Sequence, residues 1–473
     1  MTQKKWYDNA VMLNRDPNWY GFTTREDGQS VFSFYGGAIT DVMLGVLEQT
    51  ALVPNGSFMW RGEKFLQKCE NGVEVNYPQL GGLYKAYTEC GVDGVQIFID
   101  EMKKKGIRPW LSFRMNDTHF TENPTSFLRS DMYYEEKEAG HLVGDRYGYY
   151  AQLFDYRYPR YRNAVLGYVK ELLDKYDMFG IELDFMREIV CFDYLGHPEE
   201  AREIMLDFMR EVKAHAKKNE TRLGHDIKIS IRICRDPDDA YIFGFDVKKM
   251  VDEGLVDVVV VTPRYACVDS AMPIRKWRKL LGDDVALIGG IETNNVQGSV
   301  NSAENSKAYA AAFYAQGADG IYLNNHEYNR ERNRAAWEIN RDNATVGRRD
   351  FIVTYQDCAP FPSEAYKPLP QRFVGTTAFR LEIGKVKPTD KVTLLLDFEG
   401  VKFTFAQIGD VRATDAKTVE PLIAPKGSGT VNLTEHTPLE LDLTGISTDG
   451  SAILELKGNG TVYFIRLTIE PQE

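Results

Sequence analysis

Short apolar runs alternate, along the first 330 or so residues, with longer segments whose apolar positions recur at helical spacing. The short runs are residues 9–13 (NAVML), 31–35 (VFSFY), 107–113 (IRPWLSF), 179–185 (FGIELDF), 227–233 (IKISIRI), 255–261 (LVDVVVV), 285–291 (VALIGGI) and 319–323 (DGIYL). Their length and their β-branched and aromatic content predict eight strands, six of which end in polar or charged residues. Between them, Val95, Phe98, Ile99 and Met102 recur at i, i+3, i+4 and i+7 in a helix over 94–105, which Gly106 ends. Val165, Val169, Leu172, Leu173 and Tyr176 share one face of a second helix over 161–176. Further helices are predicted over 201–217, over 246–251 with Asp246 as its cap and Gly254 as its stop, and over 302–315 stopped by Gly317.

Strands and helices in alternation are the signature of parallel βα units, and eight of them predict a closed (β/α)₈ TIM barrel, an α/β fold, over residues 1–350. An open doubly wound sheet is the alternative, but no GxGxxG follows the first strand and no GxxxxGK[ST] occurs anywhere. Residues 351–372 read as a Pro-containing linker. From 373 to 473 the language changes to short alternating runs (379–383, 392–398, 401–405, 439–443, 452–456, 462–469), punctuated by Asp449-Gly450 and Gly458-Asn459-Gly460 as turns. This predicts a small all-β sandwich as an accessory domain.

One strand breaks the apolar rule. In residues 178–188 (MFGIELDFMRE), side chains alternate between faces, so Glu182 and Asp184 share one face while Ile181, Leu183 and Phe185 share the other. A protein interior tolerates a charged face only when its charges are paired, solvated or used. The barrel accounts for it, because active sites of such barrels lie at the C-terminal ends of the strands. The same ends gather Arg114, Asn116, Asp117 and His119, then Glu182, Asp184 and Arg187, then Arg232, Arg264 and Tyr265, Glu292, and finally Asn324.

Glycoside hydrolysis needs an acid to protonate the leaving oxygen and a second carboxylate on the opposite face of the sugar. Asp184 and Glu292 are the leading pair, with Asp184 as general acid/base, Glu292 as nucleophile or second carboxylate, and Glu182 and Arg187 tuning charge. Arg114, Asn116, Asp117, His119, Arg187, Arg232, Arg264, Tyr265 and Asn324 form the expected substrate-binding set. Each has a plainer reading. Glu182 could ion-pair with Arg232 or Arg114 in a structural network, Asp117 could cap a helix, and the tyrosines at 147, 149 and 150 could be a packed loop.

Composition narrows the partners. The 69 Asp and Glu exceed the 57 Lys and Arg, giving a net charge of −12, which argues against nucleic acid and anionic membranes because binding phosphates wants a basic surface. No apolar run reaches membrane-spanning length and none of signal-peptide length follows the N-terminus, so a cytoplasmic protein is expected. The six cysteines show no CxxC spacing and read as free buried thiols in a reducing compartment. No cofactor is expected.

Residues 175–187 (KYDMFGIELDFMR) resemble an element of bacterial glycoside-hydrolase-like barrel proteins, a largely uncharacterised family. Residues 113–119 (FRMNDTH), 244–257, 289–292 (GGIE) and 317–325 (GADGIYLNN) are similar to the same family, so the likeness covers roughly residues 100–330. It implies a barrel glycosidase related to the clan whose acid/base follows strand four and whose nucleophile follows strand seven, the strand ends held here by Asp184 and Glu292. The chain departs from that clan in having Asp184 rather than an Asn-Glu pair after strand four, and it has Phe179 where the family pattern has Asp.

The expectation is therefore a glycosidase acting on a small glycoside or oligosaccharide. Two rivals remain: a metal-assisted barrel hydrolase or lyase with Asp117, His119, Glu182 and Asp184 as ligands, and a carbohydrate-binding protein without catalysis.

Overall fold

The computed structural model describes residues 5–15, 21–24, 30–34, 37–38, 56–61, 94–104, 106–116, 131–186, 188–263, 270–292, 302–324, 335–336, 338–353, 369–419 and 438–472. The chain begins with strands β1 (Ala10–Arg15), β2 (Gly21–Thr24), β3 (Ser30–Phe34), β4 (Gly37–Ala38) and β5 (Gly56–Arg61). Helix α1 (Gly94–Lys104), strand β6 (Arg108–Arg114), α2 (Asp131–Glu138), α3 (Pro159–Lys175), β7 (Gly180–Asp184), α4 (Pro198–Leu223) and β8 (Lys228–Cys234) follow. Next come α5 (Pro237–Ile242), α6 (Val247–Asp252), β9 (Val258–Thr262), α7 (Ile274–Leu281), β10 (Ala286–Glu292), α8 (Ala303–Ala315) and β11 (Gly320–Asn324). The C-terminal strands are β12 (Arg349–Val353), β13 (Gln371–Glu382), β14 (Lys391–Ile408), β15 (Val411–Ala413), β16 (Lys417–Thr418), β17 (Leu439–Asp442) and β18 (Ser451–Glu470).

Eight strands close a barrel in the order β1-β11-β10-β9-β8-β7-β6-β5, as the alternation predicts. One strand is not the expected one. Of the expected run 31–35, the described residues 31–34 do not enter the barrel; β3 pairs antiparallel with β2 and β4 in a small separate sheet, and β5 takes the second barrel position by pairing parallel with β6. Both runs are short, and periodicity cannot rank two such runs. The choice depends on which of them finds a parallel partner. Because one strand replaces another, β7 is still the fourth strand and β10 the seventh.

Two compact units partition the chain: Met12–Val260 with Leu280–Ala286, and Met1–Val11 with Val261–Lys279 and Leu287–Glu473. In the first, β6, β7 and β8 lie in parallel register, Trp110 beside Gly180 beside Lys228, Ser112 beside Glu182 beside Ser230, and Arg114 beside Asp184 beside Arg232. The outer face is marked by Phe113, which stacks on Tyr168 of α3 with ring centroids 5.7 Å apart. The inner face is marked by Gly180, where an added Cβ would lie 2.4 Å from the Trp110 ring. Glycine is required there so that the indole can fill the floor of the barrel.

In the second unit, Gly289 of β10 turns its bare face to Phe313 of α8, while Gly290 sits where a Cβ would strike Thr262 at 2.0 Å. Position 289 is thus outward and positions 290 and 292 inward.

Caps legible in the sequence are present. The Asp246 side chain accepts from the Lys249 amide at 3.0 Å, Ser302 and Asn305 form a reciprocal capping box on α8, and Gly106, Gly254 and Gly317 all have positive φ. Two aspartates that precede strands have a repeated role. Asp257 accepts the Ile229 amide at 2.9 Å and Asp319 the Leu287 amide at 2.8 Å, each stapling its strand to the preceding one at the N-terminal end of the barrel.

The C-terminal region is antiparallel β, as expected. β14 and β18 pair along most of their length; β13 and β12 pair with successive halves of β18, and β17 and β15 with successive parts of β14. β12 overlaps the start of the expected linker. The stretch Gly458-Asn459-Gly460, expected to be a turn, lies inside β18. Added Cβ atoms at Gly458 and Gly460 would meet the Lys402 and Glu399 carbonyls at 2.6 and 2.4 Å, and the register with β14 shifts on both sides of Gly400. These glycines let two strands approach closely at bulges; they do not reverse the chain.

Candidate functional site

The C-terminal ends of β6, β7 and β8 build a polar stack from the register alone. Even-numbered residues face inward, so Trp110 and Gly180 lie lowest, Ser112, Glu182 and Ser230 above them, and Arg114, Asp184 and Arg232 at the strand ends. Asp184 is 0% exposed and Arg232 3%. The Arg232 fork donates from Nε to Asp184 Oδ1 at 2.8 Å and from Nη2 to Oδ2 at 2.9 Å, and the Met186 amide donates to Oδ1 at 2.9 Å. This is a bidentate, charge-assisted pair removed from water.

Glu182, one layer down, accepts from the Ser112 hydroxyl at 2.7 Å. The sequence offered Arg232 as a partner for Glu182 in a structural network. The geometry gives Arg232 to Asp184, because parallel register puts residue 232 beside 184 and leaves Ser230 beside 182. The same fork bears on the expected division of labour. Both Asp184 oxygens already accept hydrogen bonds, so as placed this side chain is an acceptor and not a proton donor.

Glu292 ends β10 and Asn324 ends β11, side by side in register; the Asn324 amide donates to Glu292 Oε2, and both residues are buried. Asn116 lies just past β6 and is fully spent on the chain itself. Its Nδ2 donates to the Phe154 and Val190 carbonyls at 2.9 and 3.0 Å, and its Oδ1 accepts from the Phe154 amide at 3.3 Å. It holds the loops after β6 and β7 together, which removes its amide from the set available to a substrate. Asp117, His119, Arg187, Arg264 and Tyr265 lie outside the described residues.

Those loops form a network of their own. Asp155 accepts the Arg157 amide at 3.0 Å and its Nε and Nη2 at 2.8 and 2.6 Å, and the Tyr147 hydroxyl donates to Asp193 at 2.6 Å. Tyr156 and Tyr161 both donate to the Met115 carbonyl, at 2.5 and 3.0 Å. Burial drives the Tyr156 phenol well above its usual range, so it is a fixed neutral donor. Tyr147 and Tyr150 are packed and buried. Burial likewise pushes the thiols of Cys191 and Cys234 up, and both are free, buried cysteines of the kind expected from the sequence.

For the metal rival, Glu182 and Asp184 are bonded to Ser112 and Arg232, and among the described residues no group of three or more His, Cys, Asp or Glu side chains is arranged to hold an ion. Sequence reasoning overlooked Ser112 and Ser230. Their signal was the same even-numbered alternation that singled out Glu182, but a serine in an apolar run carries no charge to draw attention.

No family model matches the chain and no curated protein matches it. Among solved structures it is similar to an endo-β-1,4-mannanase from Thermotoga petrophila, with 12% identity over 96% of this chain and 97% of that one and a TM-score of 0.43. It is also similar to an α-L-fucosidase isoenzyme from Paenibacillus thiaminolyticus (13% identity, 96% and 97% coverage, TM-score 0.35) and to a chitinase from Chromobacterium violaceum (8%, 98% and 89%, TM-score 0.38).

Proposed function

We propose that this protein is a glycoside hydrolase that cleaves an O-glycosidic bond of a small glycoside or oligosaccharide with carboxyl groups at the ends of β7 and β10. The observation that carries the reading is the fully buried Asp184–Arg232 pair facing inward at the C-terminal end of the fourth barrel strand. Taking two charges out of water is costly, and a well-packed apolar pair is often as stable or more so. A charged pair at the functional end of a barrel is accounted for by use.

The geometry favours a division of roles. Asp184, an acceptor on both oxygens and oriented by Arg232, serves as the carboxylate that stabilises positive charge developing at the anomeric carbon. Glu292, at the end of β10, serves as proton donor to the leaving oxygen, with Asn324 fixing its Oε2. This reverses the division expected from the sequence. Glu182, a layer deeper and bonded to Ser112, sets the charge beneath Asp184. Arg114, with Asp117, His119, Arg187, Arg264 and Tyr265, completes the proposed substrate contacts; Asn116 is left out because its amide is occupied.

The test is turnover of a panel of nitrophenyl glycosides by wild type, Asp184→Asn and Glu292→Gln. On any substrate that wild type hydrolyses, each variant is expected to lose about 10²–10⁴-fold in kcat. Wild-type rates in both variants would discard the proposal.

A further inference from the structure

Asn14 is the next-to-last residue of β1 and is 0% exposed, yet neither its amide oxygen nor its amide nitrogen has a hydrogen-bond partner among the described residues. Other buried asparagines of the chain are matched. Asn116 makes three bonds to backbone groups; Asn219 donates to Asp174 at 2.8 Å and accepts from Arg222 at 2.8 Å; Asn324 donates to Glu292. Buried polar atoms in folded proteins are matched in the great majority of cases, and each exception calls for an explanation.

The face that Asn14 occupies supplies one. At Gly320 of β11, an added Cβ would lie 3.1 Å from the Ala10 Cβ, so Ala10 shares the face of Gly320, Tyr322 and Asn324. That is the inward face, since Asn324 bonds inward-facing Glu292. Alternation along β1 puts Asn14 on the face of Ala10, at the C-terminal end of the strand, where barrels of this class bind their ligands.

We infer that Asn14 is a substrate-reading residue, whose amide receives a hydroxyl group of the sugar. The chemistry fits: a primary amide offers one acceptor and two donors, and a sugar hydroxyl both donates and accepts, so two neighbouring hydroxyls can satisfy the oxygen and the nitrogen together. A site built to pair with a hydroxyl rejects an analogue that lacks it, which makes Asn14 a determinant of which sugar is accepted. This rests on the carbohydrate reading above and extends it to a residue outside the proposed carboxyl machinery.

The experiment compares wild type with Asn14→Leu and Asn14→Ala, using calorimetric titration with the methyl glycosides of glucose, galactose, mannose, fucose and N-acetylglucosamine. Monodeoxy analogues of whichever sugar binds, and thermal unfolding without ligand, complete the set. For the sugar that wild type binds, Asn14→Leu is expected to raise Kd about 10- to 100-fold, the loss of hydrogen bonds to a buried partner. The unliganded Tm should be unchanged or higher, because an unmatched amide is replaced by an apolar group of similar volume. One monodeoxy sugar should bind wild type and Asn14→Leu equally well, identifying the hydroxyl that is read.

An unchanged Kd in both variants would overturn the inference, as would a wild type that binds none of these sugars. Sugar binding lost in Asn14→Leu by a protein that hydrolyses no glycoside would sink the hydrolase proposal and leave Asn14 standing. Hydrolysis with KM unaltered in both variants would do the reverse.

Discussion

Asp184 and Asp350 are both buried and each accepts both arms of an arginine fork, but the two arginines differ sharply in exposure. Arg232 reaches Asp184 at 2.8 and 2.9 Å, and Arg348 reaches Asp350 at 2.9 and 3.0 Å. The Arg232 side chain is 3% exposed and that of Arg348 46%. Arg348 lies just ahead of β12 and Asp350 two residues on, within it, and Asp350 also accepts the Thr468 hydroxyl of β18 at 2.9 Å. That pair therefore fastens a sheet edge while its arginine keeps its water. Arg232 and Asp184 come from adjacent barrel strands and have given up solvent altogether. The same hydrogen bonds are ordinary fastening in one place and an expensive local charge in the other, and only the second calls for a functional account.

The largest expected effect breaks the buried pair. Arg232→Met leaves Asp184 buried without its counter-charge and should cost about 3–5 kcal/mol in urea unfolding, while Arg232→Met with Asp184→Leu should recover most of that loss and still be inactive. A loss below about 1 kcal/mol for the single variant would mean that the two pairs are not different in kind. At the sheet edge, Arg348→Ala should cost about 1 kcal/mol or less, and the loss should shrink as salt is added. An equal cost in both places would remove burial as the distinguishing variable.

The smallest effect extends the comparison to a pair with both partners exposed. Hydrogen bonds to the Asp226 carbonyl and to the Asp177 carboxylate raise His225 above its ordinary value. A folded-state value above the unfolded one means that stabilisation is fully present below about pH 6.5 and is lost as pH rises through the folded value. His225→Gln should therefore cost a few tenths of a kcal/mol, at most about 0.5, at pH 5.5 and nothing measurable at pH 9. A cost that grows with pH would show the sign to be wrong.

Much of the molecule is legible in the order of its residues. The Glu182 and Asp184 face follows from alternation, the Asp246 cap and the glycine stops from local hydrogen-bonding needs, and the barrel from eight alternating runs. Where expectation fails, the missing quantity is the partner. Residues 31–35 and 56–61 are both acceptable strands, and only β6 chooses between them. Gly458 to Gly460 has turn chemistry, yet in β18 it answers the approach of the Glu399 and Lys402 carbonyls. Asn116 has the chemistry of a sugar contact until the backbone at Phe154 and Val190 consumes it.

By itself, then, the sequence determined periodicity, caps, stops and which side chains share a face, because each is settled by residues within about four positions along the chain. The tertiary structure decided which charge meets which. Asp184 and Arg232 are 48 positions apart and Ser112 and Glu182 are 70 apart, and strand register alone brings them together. Register also decides burial: beside Asp184 it takes the arginine out of water, while the arginine beside Asp350 stays half exposed, and in a low-dielectric interior that difference sets how strongly each charge depends on its partner.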